Sequence, residues 1–190
     1  VADIPSIPTW FDGWWFRSRT EARWAFVWKQ LGIEYEYETQ GFDANGTWYL
    51  PDFVLYPALG MLWAEIKGSW EQDPDGIAKW RKFSPWRPQR SRGALIIGIP
   101  ALDNRADLIG GSEDVSPSDP WYDDTQIWRP CPSGYHFDLA QPGRFGGKFA
   151  EDGCPYSDQE GHGEDRLRRA IGEARAYRFE DKPPSPGEAA

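Results

Sequence analysis

Tyr49-Leu50-Pro51-Asp52-Phe53 and Trp63-Ala64-Glu65-Ile66-Lys67-Gly68, with twelve residues between Asp52 and Glu65, decide how this chain is read. Side chains alternate along a strand, so Glu65 and Lys67 point one way and Ala64 and Ile66 the other. An antiparallel neighbour carrying Asp52 then brings two carboxylates and an ammonium together. Two carboxylates suit a hard divalent cation such as magnesium. A lysine beside them can orient or activate a water.

The flanking sequence supplies the scaffold. Residues 18–31 read as a helix: Ser18 is a good N-cap, and Glu21 three residues on completes a capping box. Trp24, Val27, Trp28 and Leu31 form its apolar face, and Gly32 ends it. Residues 1–16 read as an irregular aromatic lead-in. Glu34 to Thr39 alternates acid and aromatic, which predicts a strand with one wet face. Ala44-Asn45-Gly46 marks a turn, Thr47 to Leu55 a second strand carrying Asp52, and Met61 to Lys67 a third, an antiparallel meander. A helix is expected around Gly76 to Phe83, before Pro85 and Pro88. Ala94 to Ile99 is a continuous apolar run, read as a buried strand. The order predicts an α/β fold: α-β-β-β-α-β around a mixed sheet.

Residues 1–100 are expected to form this core. Residues 101–163 are rich in Gly, Pro and Asp and read as irregular, with short strands possible at 126–128 and 135–137. Residues 164–181 read as a helix and 182–190 as a disordered tail. No run of about 18 apolar residues predicts a membrane span. Val1 to Pro8 lacks the features of a secretory signal, and two cysteines make no disulfide framework, so an intracellular, cytoplasmic place is expected.

Net charge is −9, which argues against simple coating of nucleic acid. The acid is unevenly spread: residues 1–100 carry 11 Lys+Arg against 12 Asp+Glu, and residues 101–190 carry 10 against 18. Lys79, Arg81, Lys82, Arg87, Arg90 and Arg92 fall in one acid-free stretch, either a solvated helix and loop or a patch that contacts phosphate.

Glu21, Pro51-Asp52 and Glu65-Ile66-Lys67, followed by a helix and an apolar strand, resemble the PD-(D/E)xK, or restriction-endonuclease-like, nuclease superfamily. The opening Phe16-Arg17-Ser18-Arg19-Thr20-Glu21-Ala22-Arg23-Trp24-Ala25 resembles the first helix of its small phage and bacterial members. The resemblance covers about residues 14–100. It implies that Asp52 and Glu65 bind magnesium or manganese, that Lys67 positions or activates the attacking water, and that Glu21 adds an acidic contact to the metal or its waters.

Plainer alternatives stand beside these roles. The capping box alone accounts for Glu21, and both roles can hold at once. Asp52 after Pro51 can be a turn residue. Glu65 and Lys67 can be a same-face ion pair on an exposed strand, worth little. The expected function is a metal-dependent deoxyribonuclease, an endonuclease or exonuclease, with Arg17, Arg19 and the 79–92 stretch holding the DNA backbone. A homodimer suits a cutter of both strands. The alternative is a non-catalytic nucleic-acid- or protein-binding module on the same fold. Neither G-x-S-x-G, a P-loop nor H-E-x-x-H is present.

All four cysteines and histidines lie between 131 and 162. Cys131-Pro132-Ser133-Gly134 and Cys154-Pro155-Tyr156-Ser157 resemble zinc-ribbon knuckles, each without its second cysteine. His136 and His162 can take the missing places around a structural zinc. Otherwise the two cysteines are isolated and the two histidines lie at the surface.

Overall fold

The structure is a computed structural model and describes residues 6–43, 45–56, 61–69, 73–83, 92–109, 122–126, 128–131, 134–137 and 164–179. Thr9–Phe11 (β1) and Trp14–Phe16 (β2) pair as a hairpin through Asp12 and Gly13, both at positive φ (51° and 86°). That geometry matches the right-handed twist of the flanking strands. Helix α1, Arg19–Leu31, starts where the Ser18 hydroxyl accepts the backbone N–H of Glu21 at 3.2 Å. Its end falls at Gly32, at φ 72°, whose N–H donates to the Lys29 carbonyl at 3.1 Å. A side chain is strained in this left-handed conformation. Gly32→Ala is therefore expected to lower the free energy of unfolding by about 1 kcal/mol in a denaturant titration. An unchanged midpoint would mean that Gly32 does not set the helix end.

Glu34–Tyr37 (β3) is followed by a small hairpin of Phe42–Asp43 (β4) and Trp48–Tyr49 (β5). Asn45 and Gly46 both take positive φ there, as the Asn-Gly signal predicts. Phe53–Tyr56 (β6) and Leu62–Lys67 (β7) complete an antiparallel meander with β3. Pro74–Phe83 (α2) then leads to Arg92–Ile97 (β8), which runs parallel to β7. The expected α/β class and mixed sheet are observed.

The strands differ from expectation at several points: the lead-in, read as irregular, holds the β1–β2 hairpin, and the apolar strand read at 94–99 runs from Arg92 to Ile97. The run from Thr47 to Leu55 is two strands, β5 and β6, and Asp52 lies between them. Pro51 has no N–H to offer a ladder, and β5 pairs with β4 instead of continuing along β3. Beyond residue 100, Arg105–Ile109 (β9) and Tyr122–Gln126 (β10) join the sheet, giving the order β10-β9-β8-β7-β6-β3. Trp128–Cys131 (β11) pairs with Gly134–Phe137 (β12) in a separate ribbon. The last helix, Glu164–Ala176 (α3), ends before the expected 181.

Around β6, β7 and β8 the sheet is buried on both faces. Leu62, Ala64 and Ile66 of β7 face a core with Trp24, Val27 and Trp28 of α1, which also takes in Leu167, Ala170 and Ala174 of α3. On the opposite face, Trp63 and Leu95 meet Ile77, Trp80 and Phe83 of α2. Glu65 and Lys67 share the α2 side with Trp63, by strand alternation. No helix among the described residues is long and apolar enough to cross a membrane.

Candidate active site

Asp52 sits where the sheet ladders run out. The β6–β7 pairing stops at Phe53 opposite Ala64, so the next β7 N–H on that side, that of Ile66, has no strand partner. Asp52 Oδ2 accepts it at 2.7 Å, which keeps a buried donor satisfied. Asp52 is only 1% exposed. Its own N–H donates to Glu65 Oε2 at 3.3 Å, which sets the two acidic residues side by side. Its carbonyl accepts the N–H of Glu38 at 2.9 Å, and Glu38 ends β3 at φ 49°.

Glu65 is 3% exposed, which removes the reading of an exposed-strand ion pair. Its Oε1 meets Lys67 Nζ at 2.8 Å, and the same ammonium meets Asp73 Oδ2 at 2.9 Å. Asp73 is the N-cap of α2: its Oδ1 accepts the Gly76 N–H at 2.8 Å, and Pro74 occupies the first helical position. A Cβ on Gly76 would lie 2.1 Å from Asp73 Oδ2, so a larger residue there would push the Asp73 carboxylate aside. Lys67 is thus gripped between the sheet and the start of α2. The buried Tyr49 hydroxyl stands against Glu65, in no well-formed hydrogen bond.

Glu21 does cap α1, and it does more. Its Oε1 accepts the Ser18 hydroxyl at 2.6 Å, and its Oε2 accepts Tyr37 Oη at 2.6 Å and the Arg17 N–H at 3.2 Å. The Arg17 N–H also donates to Tyr37 Oη at 2.9 Å. Arg17, expected on the DNA backbone, reaches from solvent toward two carboxylates. Its Nη2 pairs with Asp52 Oδ1 and its Nε lies 2.7 Å from Glu38 Oε1.

These neighbours set the protonation states. Burial raises the Asp52 pKa well above its usual value, and the charges of Glu65 and Glu21 push it further; Arg17 and the Ile66 N–H pull against them. The Glu38 pKa is raised, chiefly by burial. Burial works to lower the Lys67 pKa, but Glu65 and Asp73 outweigh it and hold the lysine more basic than usual. Burial likewise opposes ionisation of Asp73, yet Lys67 and the Gly76 N–H bring its pKa below the ordinary value.

No protein-family model, curated protein or solved structure matches the chain.

Among the described residues, no three Asp, Glu, His or Cys side chains converge as a group that could hold an ion by themselves. Glu21 acts on Asp52 through its charge while its oxygens are taken up by Ser18, Tyr37 and the Arg17 N–H. Magnesium is commonly held by one or two carboxylates with water filling the remaining positions, so the Asp52–Glu65 pair fits that ion or manganese. The charges agree with this: among the described residues, Glu21, Glu38, Asp52 and Glu65 cluster around the cations Arg17 and Lys67, the second of which is shared with Asp73.

The other expected site residues are dispersed. Lys79, Arg81 and Lys82 are exposed on α2. Arg87 and Arg90 lie outside the described residues, as does the side chain of Arg92, whose backbone opens β8. In the expected zinc site, Cys131 and His136 have described backbones in β11 and β12, but their side chains, and all of Cys154 and His162, lie outside the described residues.

Arg19 stays on the first turn of α1 with Arg23 one turn on, and the Nε of each is buried without a hydrogen-bond partner. Burial, Arg19 and Arg175 of α3 lower the Arg23 pKa, which places three cations together at the α1–α3 seam. Sequence reading missed this cluster, as it missed Tyr37, Glu38, Tyr49 and Asp73. Only Asp73 carried a readable signal, the Asp-Pro pair of a helix start. An open cleft of about 550 Å³, lined by residues including Trp14, Lys29, Tyr35 and Tyr56, contains none of Asp52, Glu65 and Lys67.

Proposed function

We propose that this chain is a divalent-metal-dependent nuclease that hydrolyses DNA phosphodiester bonds. One observation carries the reading: Asp52 and Glu65 are buried side by side at the end of the sheet, with the Lys67 ammonium on Glu65. Two adjacent buried carboxylates repel one another, a repulsion that Arg17 and Lys67 offset in the metal-free protein and that a divalent cation between them would relieve. Asp52 and Glu65 would hold magnesium or manganese, which when bound polarises a phosphoryl oxygen and makes water more acidic.

The chain's own groups supply the rest. Glu65 and Asp73 hold Lys67 more basic than usual, which favours an ammonium that offers positive charge to a phosphate oxygen or orients the nucleophile over a general base. Asp73 and Glu65 fix the ammonium in place, a form of electrostatic preorganisation. Glu21 and Tyr37 hold the backbone at Arg17 and so position the start of α1 against Asp52. The test is cleavage of linear, circular and branched DNA with magnesium, manganese or chelator. Failure to cut any of these with either metal overturns the reading, and cutting in chelator denies the metal.

The DNA backbone needs cations that no carboxylate has claimed. Among the described residues, Arg19, Arg23 and Arg175 have no acidic partner, and their mutual repulsion would be relieved by phosphate. Replacing Arg23 and Arg175 together by alanine is expected to weaken DNA binding about tenfold at low salt. It should lower the slope of log affinity against log salt by about 1 to 2, equally for all sequences. An unchanged slope, read by fluorescence anisotropy over a salt series, removes this seam from the interface.

A further inference from the structure

Arg17 follows β2 directly, and its side chain occupies the ground between Asp52 and Glu38. Asp52 has committed Oδ2 to the Ile66 N–H inside the fold. The guanidinium takes the other oxygen, Oδ1. We propose that Arg17 is the resident counter-ion of this site, standing where a divalent cation must bind Asp52, and that the cation enters by displacing it. The proposal rests on the metal-dependent reading above and adds a mutually exclusive pair of cations to it.

Three features make the exchange physically easy. The Arg17 side chain is 55% exposed while that of Asp52 is 2% exposed, so the guanidinium reaches in from solvent and can withdraw into it. Glu38, on the outward side, offers a second carboxylate 2.7 Å from Nε, and so keeps the departing guanidinium at the rim. The backbone of Arg17 is held independently of its side chain, through the N–H bonds to Tyr37 Oη and Glu21 Oε2. The side chain can swing without disturbing α1 or β2.

A fourth feature makes the exchange necessary. A guanidinium on Oδ1 would place one positive charge against another at the moment a divalent ion arrived, and both compete for the same lone pairs. Conversely, Asp52 left with neither partner would be an uncompensated buried charge. One cation or the other must be present whenever Asp52 is ionised. In the metal-free protein, Arg17 keeps the carboxylate pair intact and closed to other cations.

Manganese titration calorimetry on folded, chelator-treated protein tests this without reference to cleavage. Arg17→Ala is expected to bind manganese with a dissociation constant about five- to tenfold lower than wild type, because no resident charge has to leave. The gain in melting temperature on adding manganese should also be larger in the variant, whose metal-free form has lost its counter-ion. Arg17→Gln, which keeps a neutral donor for Oδ1, should shift both readouts the same way by less, and it serves if the alanine variant does not fold. Equal or weaker manganese binding by the variants, with wild-type binding intact and abolished by Asp52→Asn, overturns the counter-ion proposal and leaves the nuclease reading standing. Absence of manganese binding in folded wild type and variants alike overturns both.

Discussion

Asp52→Asn is expected to move stability and function in opposite directions. DNA cleavage should fall at least about a thousandfold, and manganese binding with it, because the pair loses the charge that holds the ion. The metal-free protein at pH 7 should become about 1 kcal/mol more stable. Asparagine keeps an oxygen for the Ile66 N–H, so the buried donor stays satisfied. The Arg17 ion pair is lost, but Arg17 is half exposed and can turn to Glu38 or to water.

The sign follows from the direction of the Asp52 shift. Its pKa in the folded protein is raised above 3.8, first by burial and then by Glu65 and Glu21. The native state therefore binds the Asp52 proton more tightly than the unfolded chain does. Stability attributable to this group falls as pH rises from about 3.8 through the raised folded pKa, and the full penalty persists above it. Asparagine removes that penalty. Denaturant unfolding in chelator from pH 4 to pH 8 should show the stability difference between variant and wild type widening with pH. A variant that is less stable than wild type at pH 7 would mean that the Arg17 pairing outweighs the burial cost. Retained cleavage would remove Asp52 from the site altogether.

Part of this arrangement was legible in the residues alone. Strand alternation puts Glu65 and Lys67 on one face, and a short meander puts Asp52 beside them; both depend on local periodicity, which a sequence displays. The depth of burial was not legible. Glu65 and Lys67 look like a wet edge until α2 lays Trp80 and Phe83 on that face of the sheet. The break at Asp52 was also hidden, because Leu50 to Leu55 is apolar enough to read as one strand. The structure divides it where Pro51 cannot donate and Glu38 turns out of β3 at positive φ.

The acidic partners of Arg17 were hidden for a more general reason. An arginine near a helix start looks the same in sequence whether it faces solvent or a carboxylate, and here the partner is 35 residues away. Glu38 lies in an alternating acid–aromatic run that gives every glutamate the same appearance. Residues 105–109 and 122–126 escaped because they are short, charged and set among Gly, Pro and Asp. They are strands because β8 offers β9 an edge and β9 in turn offers one to β10, a tertiary cause that propensity does not carry.

Lys67→Met is expected to leave manganese binding within about threefold of wild type while kcat falls about a hundred- to a thousandfold. Methionine keeps much of the aliphatic stem in the half-buried position and removes the charge. Asp52 and Glu65, which hold the metal in this reading, remain. What disappears is an ammonium fixed at 2.8 Å from Glu65 and 2.9 Å from Asp73, a group whose contribution lies in the transition state. The pH dependence separates its two conceivable roles. Lys67 is held more basic than an ordinary lysine by Glu65 and Asp73, against the pull of its own burial. Its contribution as a cation is therefore complete throughout neutral pH and is lost only as pH rises through its raised pKa, beyond the ordinary lysine range. The ratio of wild-type to variant kcat should be constant from pH 6 to pH 9. A lysine that had to shed its proton to act as a base would instead give a ratio climbing about tenfold per pH unit over that range. Such a climb would replace the ammonium with a general base, and a Lys67→Met enzyme cutting at the wild-type rate would exclude Lys67 from the chemistry.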